Sequence, residues 1–164
     1  MTAAKESADT LRVIKDKIDI AEVTSEFGLV IDTHDWDRLK TILAAKVVID
    51  YSLLHGKDPV RTDPQGVVDM WAHVLEALKS TQHLIAGHLV TVDGDTAKCV
   101  TNLVAEHYLP NESGSPNWTL GGRYAFGLVR TDGTWLISEV VLIPTWSTGN
   151  RTIMQLAGSR NSTK

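Results

Sequence analysis

Two histidines occupy positions suited to carrying protons. Residues two apart on a strand share a face, so His83 groups with Ile85, Gly87 and Leu89, and His107 groups with Cys99, Thr101, Leu103 and Ala105. Both faces are mostly apolar or small. A polar group there must be paired or functional, because leaving it unpaired costs about 2–7 kcal/mol on transfer scales. With an unperturbed pKa of about 6.5, imidazole populates both protonation states near neutrality, as alternating proton removal and delivery requires. Asp32 reads in two ways. In Asp32-Thr33-His34-Asp35 it is a helix N-cap with an acidic residue three positions on; alternatively it accepts a hydrogen bond from a pocket histidine and stabilises the imidazolium. Tyr51, closing Ile49-Asp50-Tyr51, is either a packing residue with its hydroxyl in water or a donor to a carbonyl or water.

The remaining candidates carry plainer readings. His88 lies five positions after His83, which on a regular strand puts the two rings on opposite faces and argues against a metal pair. His34, His55 and His73 fall in a cap, a loop and a helix and are read as ordinary surface or packing residues. Arg123, in Gly121-Gly122-Arg123-Tyr124, would bind an anionic or enolate oxygen if it pointed inward, with a surface ion pair as the plainer reading. Trp146, just after Pro144, is placed to close a pocket mouth. Cys99 is the single cysteine, so neither an intrachain disulfide nor a cysteine-based metal site is expected. There is no phosphate loop, nucleophile elbow or His-Glu-x-x-His run, so neither a cofactor nor a metal is expected.

Composition narrows the class of protein. The chain has 164 residues, 43% of them hydrophobic, enough for one globular domain with a real core and a pocket. Sixteen basic against 20 acidic residues, without a Lys/Arg cluster, make nucleic acid a poor partner. No run approaches the roughly 20 apolar residues that span a bilayer, and the N-terminal segment is charged where a signal peptide is apolar. A soluble, cytoplasmic protein is expected. The Asn-x-Ser/Thr triplets at Asn111, Asn117, Asn150 and Asn161 are therefore read as chance.

The elements that must hold these residues follow from periodicity. Leu11, Ile14, Ile18, Ala21 and Phe27 recur at helical spacing, predicting a helix from about Ala3 to Gly28. A short second helix carries Trp36, Leu39, Ile42 and Leu43, and a strand covers Lys46 to Tyr51. After a loop from His55 to Pro64, a third helix spans Gln65 to Leu78. From Thr81 onward the period changes to two. Turn signals at Asp93-Gly94, Pro110 to Pro116 and Asp132-Gly133 divide this part into four antiparallel strands in meander order. Helices followed by long strands predict an α+β domain over residues 1–154, with a loose polar tail over 155–164. Gly121, Gly122 and Gly127 would ease a bend that curls the sheet around a cavity. Trp118, Tyr124, Phe126 and Leu128 share one register, read as an outer apolar face for self-association.

The order of Asp32 to Leu39, Ile49-Asp50-Tyr51, Thr81-Gln82-His83 and a later strand histidine, His107, resembles scytalone dehydratase, and more broadly the SnoaL-like members of the nuclear-transport-factor-2-like (NTF2-like) superfamily. The likeness runs from about Val23 to Trp146. It implies a cone with three N-terminal helices packed on a strongly curved, mostly antiparallel sheet, enclosing a pocket. It also implies that Asp32, His107, His83 and Tyr51 do acid–base work without metal or cofactor, with Asp32 and His107 as the dyad. The first family tyrosine falls on Ile31, and the family's serine and asparagine fall on Gly122 and Tyr124. Ile31 and Tyr124 would thus help to shape substrate binding, with Arg123 and Trp146, and substrate identity does not carry over.

The function expected on this basis is a dehydratase acting on a cyclic oxygenated metabolite such as a polyketide, terpenoid or steroid-like alcohol. An isomerase, a cyclase or pericyclase, or an epoxide hydrolase would use the same pocket, because a fold does not select a reaction. A non-catalytic binding or dimerisation module is the rival from another class. A small-molecule substrate and a homodimer or homotrimer are the expected partners, with no nucleic acid and no membrane.

Overall fold

The computed structural model describes residues 3–112 and 114–161. The first helix, α1 (Ala3–Asp32), is followed by α2 (Trp36–Ile42), β1 (Leu43–Asp50), a single turn α3 (Ser52–His55), β2 (Val60–Thr62) and α4 (Pro64–Leu75). Four long strands come next: β3 (Ser80–Asp93), β4 (Thr96–Tyr108), β5 (Asn117–Thr131) and β6 (Thr134–Gly149), and then a last helix, α5 (Thr152–Asn161). The strands form one curved sheet in the order β2-β1-β6-β5-β4-β3. The meander β3 to β6 matches the sequence expectation. The strand read from Lys46 to Tyr51 joins it as β1, parallel to β6, and every other pairing is antiparallel.

The helices lie on the concave side. Along β4, burial alternates strictly from Ala97 to His107, so Cys99, Thr101, Leu103, Ala105 and His107 all face inward as periodicity predicts. Helix α1 differs from its expected orientation. Its buried stripe is Ile20, Val23, Phe27, Val30 and Ile31, whereas Leu11, Ile14 and Ile18 are exposed. The cause is length: the helix body reaches the sheet only from about Asp16 onward, and there Asp16 binds the Arg130 guanidinium and the Trp135 indole N–H. Gly28 then lets α1 lie directly on β3. A Cβ at residue 28 would stand 3.2 Å from the His83 carbonyl oxygen and 3.3 Å from the His83 Cβ. One turn later, α1 ends over that histidine.

Three further departures matter for the pocket. Trp118, Tyr124, Phe126 and Leu128, expected on an outer face, are buried on the concave one, and α1 packs Phe27 edge-on against Tyr124 and Phe126. Large aromatics in register on a long strand mark the covered face of the sheet. Of the residues expected as a loose polar tail, 155–161 belong to α5, whose Ile153 and Ala157 are fully buried, and 162–164 lie outside the described residues. The loop expected from His55 to Pro64 begins at the last residue of α3 and contains β2, and Asp63 caps α4 by accepting from the Gly66 N–H at 2.8 Å. The expected bends do occur at glycine: pairing between β5 and β6 shifts register at Gly121/Gly122 and again at Gly127/Leu128.

Candidate active site

Asp32 is the last residue of α1 and does not cap α2; that role belongs to Asp35, whose Oδ1 accepts from the Arg38 N–H at 3.0 Å. Freed from capping, the Asp32 carboxylate turns to β3. Oδ1 lies 2.6 Å from His83 Nδ1 and accepts from the Thr81 hydroxyl at 2.8 Å, while Oδ2 accepts from the His83 backbone N–H at 2.6 Å. The expected pairing of Asp32 with His107 is therefore corrected: the partner is His83. Register explains the difference. His83 lies on the edge strand directly beneath the end of α1, and His107 lies one strand further in, opposite Thr81. Burial alone would raise the Asp32 pKa, but the His83 ring, its charge, its backbone N–H and Thr81 together hold it below the usual carboxylate range. Asp32 is thus ionised near neutrality.

His107 is 5% exposed, and its Nδ1 lies 3.2 Å from the Trp118 carbonyl oxygen. A carbonyl only accepts, so Nδ1 carries the proton and Nε2 keeps its lone pair. Burial, reinforced by the neighbouring His83, lowers the His107 pKa to about 4. The ring is neutral at physiological pH. Its centroid is 5.8 Å from that of His83, edge to face. The two imidazoles therefore differ in character: one faces a carboxylate, and the other is kept uncharged by its surroundings.

In the same cavity, the hydroxyls of Tyr51 and Tyr124 are 3.2 Å apart. Burial pushes the Tyr124 phenol up to about 12, and burial with the Tyr124 neighbour raises Tyr51 as well, so both stay protonated. One O–H is spent between the pair. The other is left to donate to whatever occupies the cavity.

His83, His107, Tyr51 and Tyr124 line one pocket of about 880 Å³. Its walls include Ile31, Ile49, Trp71, Val74, Leu120 and Leu142, and its exposed rim carries His55, Asp58, Arg151, Thr152 and Gln155. Apolar walls with a few convergent polar groups are typical of small-molecule sites. Two of the expected binding residues lie elsewhere. Arg123 is exposed on the convex face, because it alternates with inward Gly122 and Tyr124. Trp146 is 51% exposed and lies over Gly121 on that same outer face, so it does not close the mouth. His55, read as an ordinary loop residue, is on the rim.

His88 also departs from expectation. A bulge between Ala86 and Leu89, with Gly87 at φ +72°, returns His88 to the inner side of β3, where its Nε2 lies 3.1 Å from the Ser25 hydroxyl. It shares a side with His83 after all. Even so, among the described residues no three His, Cys, Asp or Glu side chains are grouped to hold a metal ion. Thr81, Trp71, Trp118, Arg151 and the α5 residues are the parts of the site that the sequence reading missed. For Thr81 a signal existed, since it stands two residues before His83 and must share its face.

A curved sheet wrapped around helices, with a polar cluster at the cavity floor, is the architecture of the NTF2-like cone. Residues 12–141 match the family model of the SnoaL-like domain, and the chain belongs to that family. It is similar in structure to the Kfla4162 protein from Kribbella flavida, with 25% identity and a TM-score of 0.83 over 87% of this chain and 99% of that one. A candidate scytalone dehydratase from Novosphingobium aromaticivorans shares the fold at 16% identity and a TM-score of 0.73, over 87% and 92% of the two chains. So does the hexachlorocyclohexane dehydrochlorinase LinA-type3 from Novosphingobium barchaimii, at 16% identity and a TM-score of 0.74, over 87% and 94%. No curated protein sequence matches the chain. Among the described residues no helix is long and apolar enough to cross a membrane.

Proposed function

We propose that this protein is an acid–base lyase that eliminates water from a cyclic, oxygenated organic molecule. The observation that carries the reading is the Asp32–His83 pair, a carboxylate-oriented imidazole on the wall of a largely apolar pocket. With Nδ1 held by Asp32, Nε2 of His83 is the ring atom open to substrate. It takes the proton α to a carbonyl, and the imidazolium so formed is stabilised by the adjacent carboxylate. The spare hydroxyl proton of the Tyr51–Tyr124 pair donates to the enolate oxygen. Neutral His107 accepts from the substrate hydroxyl through its Nε2. The proton on His83 is then delivered to that hydroxyl as the C–O bond breaks, releasing water and an unsaturated ketone and restoring the neutral ring. Apolar walls keep bulk water from quenching the enolate.

The dehydratase- and dehydrochlorinase-type neighbours share this fold and support elimination ahead of the other reactions such a pocket serves. Self-association as a homodimer or homotrimer belongs to the same proposal, now through the convex face, where Leu84, Leu89 and Trp146 are exposed; sedimentation of the Leu84→Glu variant tests it. The chemical test follows a cyclic β-hydroxyketone in deuterated water. The wild-type protein should release water and exchange the α-proton, and Asp32→Asn and His83→Ala should slow both by about 10²–10⁴-fold. Undiminished turnover in both variants would remove the basis for the reading.

A further inference from the structure

The inner end of the pocket holds its acid–base groups, whereas its rim holds a guanidinium. Arg151 stands just before α5, exposed at the mouth and counted among the pocket's lining residues. Its Nη2 donates to the Leu54 carbonyl at 2.9 Å, and its guanidinium carbon lies 5.8 Å from the centre of the Trp118 ring. Two contacts from different elements thus fix the direction of the head group. Neither contact neutralises it. Among the described residues no carboxylate lies within ion-pair distance of Arg151, and Asp58 on the same rim makes no ion pair with it. Arg38 and Arg130 are paired with carboxylates, and Arg12, Arg61, Arg123 and Arg160 are not; among the described residues Arg151 is the arginine without an ion pair that lines the pocket.

A guanidinium remains charged at any physiological pH and presents its donors in a planar fork suited to a carboxylate. We infer that Arg151 is an anion-recognition residue, and that the substrate class is an amphipathic acid: a cyclic apolar body with its oxygen function at the inner end and a carboxylate at the mouth. Trp118 links the two ends. Its ring lies 5.8 Å from the Arg151 guanidinium carbon and 4.8 Å from the centre of the His107 ring, so a ligand gripped at the rim is positioned near the inner histidines.

This inference rests on reading the cavity as a substrate pocket, and a binding measurement tests it without any turnover. The probes are 2-naphthoate and its neutral isostere 2-naphthamide, titrated calorimetrically at neutral pH. Wild-type protein should bind the acid at least about tenfold more tightly than the amide, the worth of a charge-assisted hydrogen bond. Arg151→Gln should bring the two to within about twofold, and Arg151→Lys should retain part of the preference because it keeps the charge without the fork. Equal binding by the wild type, absence of acid binding, or an unchanged preference in Arg151→Gln would each overturn the assignment. Asp32→Asn separates the two proposals. It should keep the acid preference while losing turnover, so failure of one measurement does not carry over to the other.

Discussion

Asp32 holds His83 at two points, with Oδ1 2.6 Å from the ring Nδ1 and Oδ2 2.6 Å from the backbone N–H of the same residue. The end of α1 is therefore tied both to the imidazole and to the strand that carries it. Asp32→Asn preserves the shape but removes the charge that stabilises an imidazolium. We expect kcat/KM to fall by about 10²–10⁴-fold with the folded circular-dichroism spectrum unchanged. Thr81→Val, which removes one hydrogen bond to the same carboxylate, should cost far less, about tenfold or below.

His107 imposes a pH dependence on stability. Its pKa falls from 6.5 to about 4 on folding, so between those values the unfolded chain binds the extra proton. Stability from this group is complete above about pH 6.5 and is lost as pH falls toward 4, by about 3 kcal/mol in all. Urea midpoints measured across that range should decline for the wild type and decline less for His107→Gln. A flat wild-type profile would contradict a buried neutral ring.

The tyrosine pair predicts a matched set of effects. Tyr51→Phe and Tyr124→Phe each remove one of two hydroxyls that share a hydrogen bond, so each should lower kcat/KM by about 10²-fold if the pair binds a developing oxyanion. Stability should change by only about 1 kcal/mol. A double variant no worse than either single one would show that the pair acts as a unit.

Arg123 and Trp146 provide the opposite prediction. Both lie on the convex face, away from the pocket. Arg123→Ala and Trp146→Ala should leave kcat/KM within about twofold of wild type, as exposed substitutions away from a site usually do. A large loss in either would require that face to contribute to the reaction.

These contrasts also show what a sequence can and cannot encode locally. Alternation along β4 places His107 inward without reference to any other element, and the structure agrees. The partner of Asp32 is not a local property. It depends on which strand passes beneath the end of α1, and that is set by the close approach at Gly28, a contact between segments more than 50 residues apart in the chain. The position of His88 turns on one residue, Gly87, whose bulge reverses the period-two rule beyond it. Among the described side chains of α5, Ile153 and Ala157 alone are fully buried, so the helix lacks the wide apolar stripe that would distinguish it from a polar tail. Its burial depends on α4 and on the sheet end, where the Asn150 side chain accepts from the Thr152 N–H and its backbone N–H donates to the Asn117 carbonyl. Arg151 went unnoticed with it.

The two histidines are oriented by different kinds of atom. His83 answers to a side chain, which a single codon change can remove or retune, whereas His107 answers to the carbonyl of Trp118, which every amino acid supplies. Substitution at position 118 can alter the wall of the pocket and the support of Arg151, yet the acceptor that fixes the His107 tautomer persists as long as β4 and β5 keep their register. Drift in this lineage can therefore adjust the strength of one imidazole as a base far more freely than it can change which nitrogen of the other carries the proton.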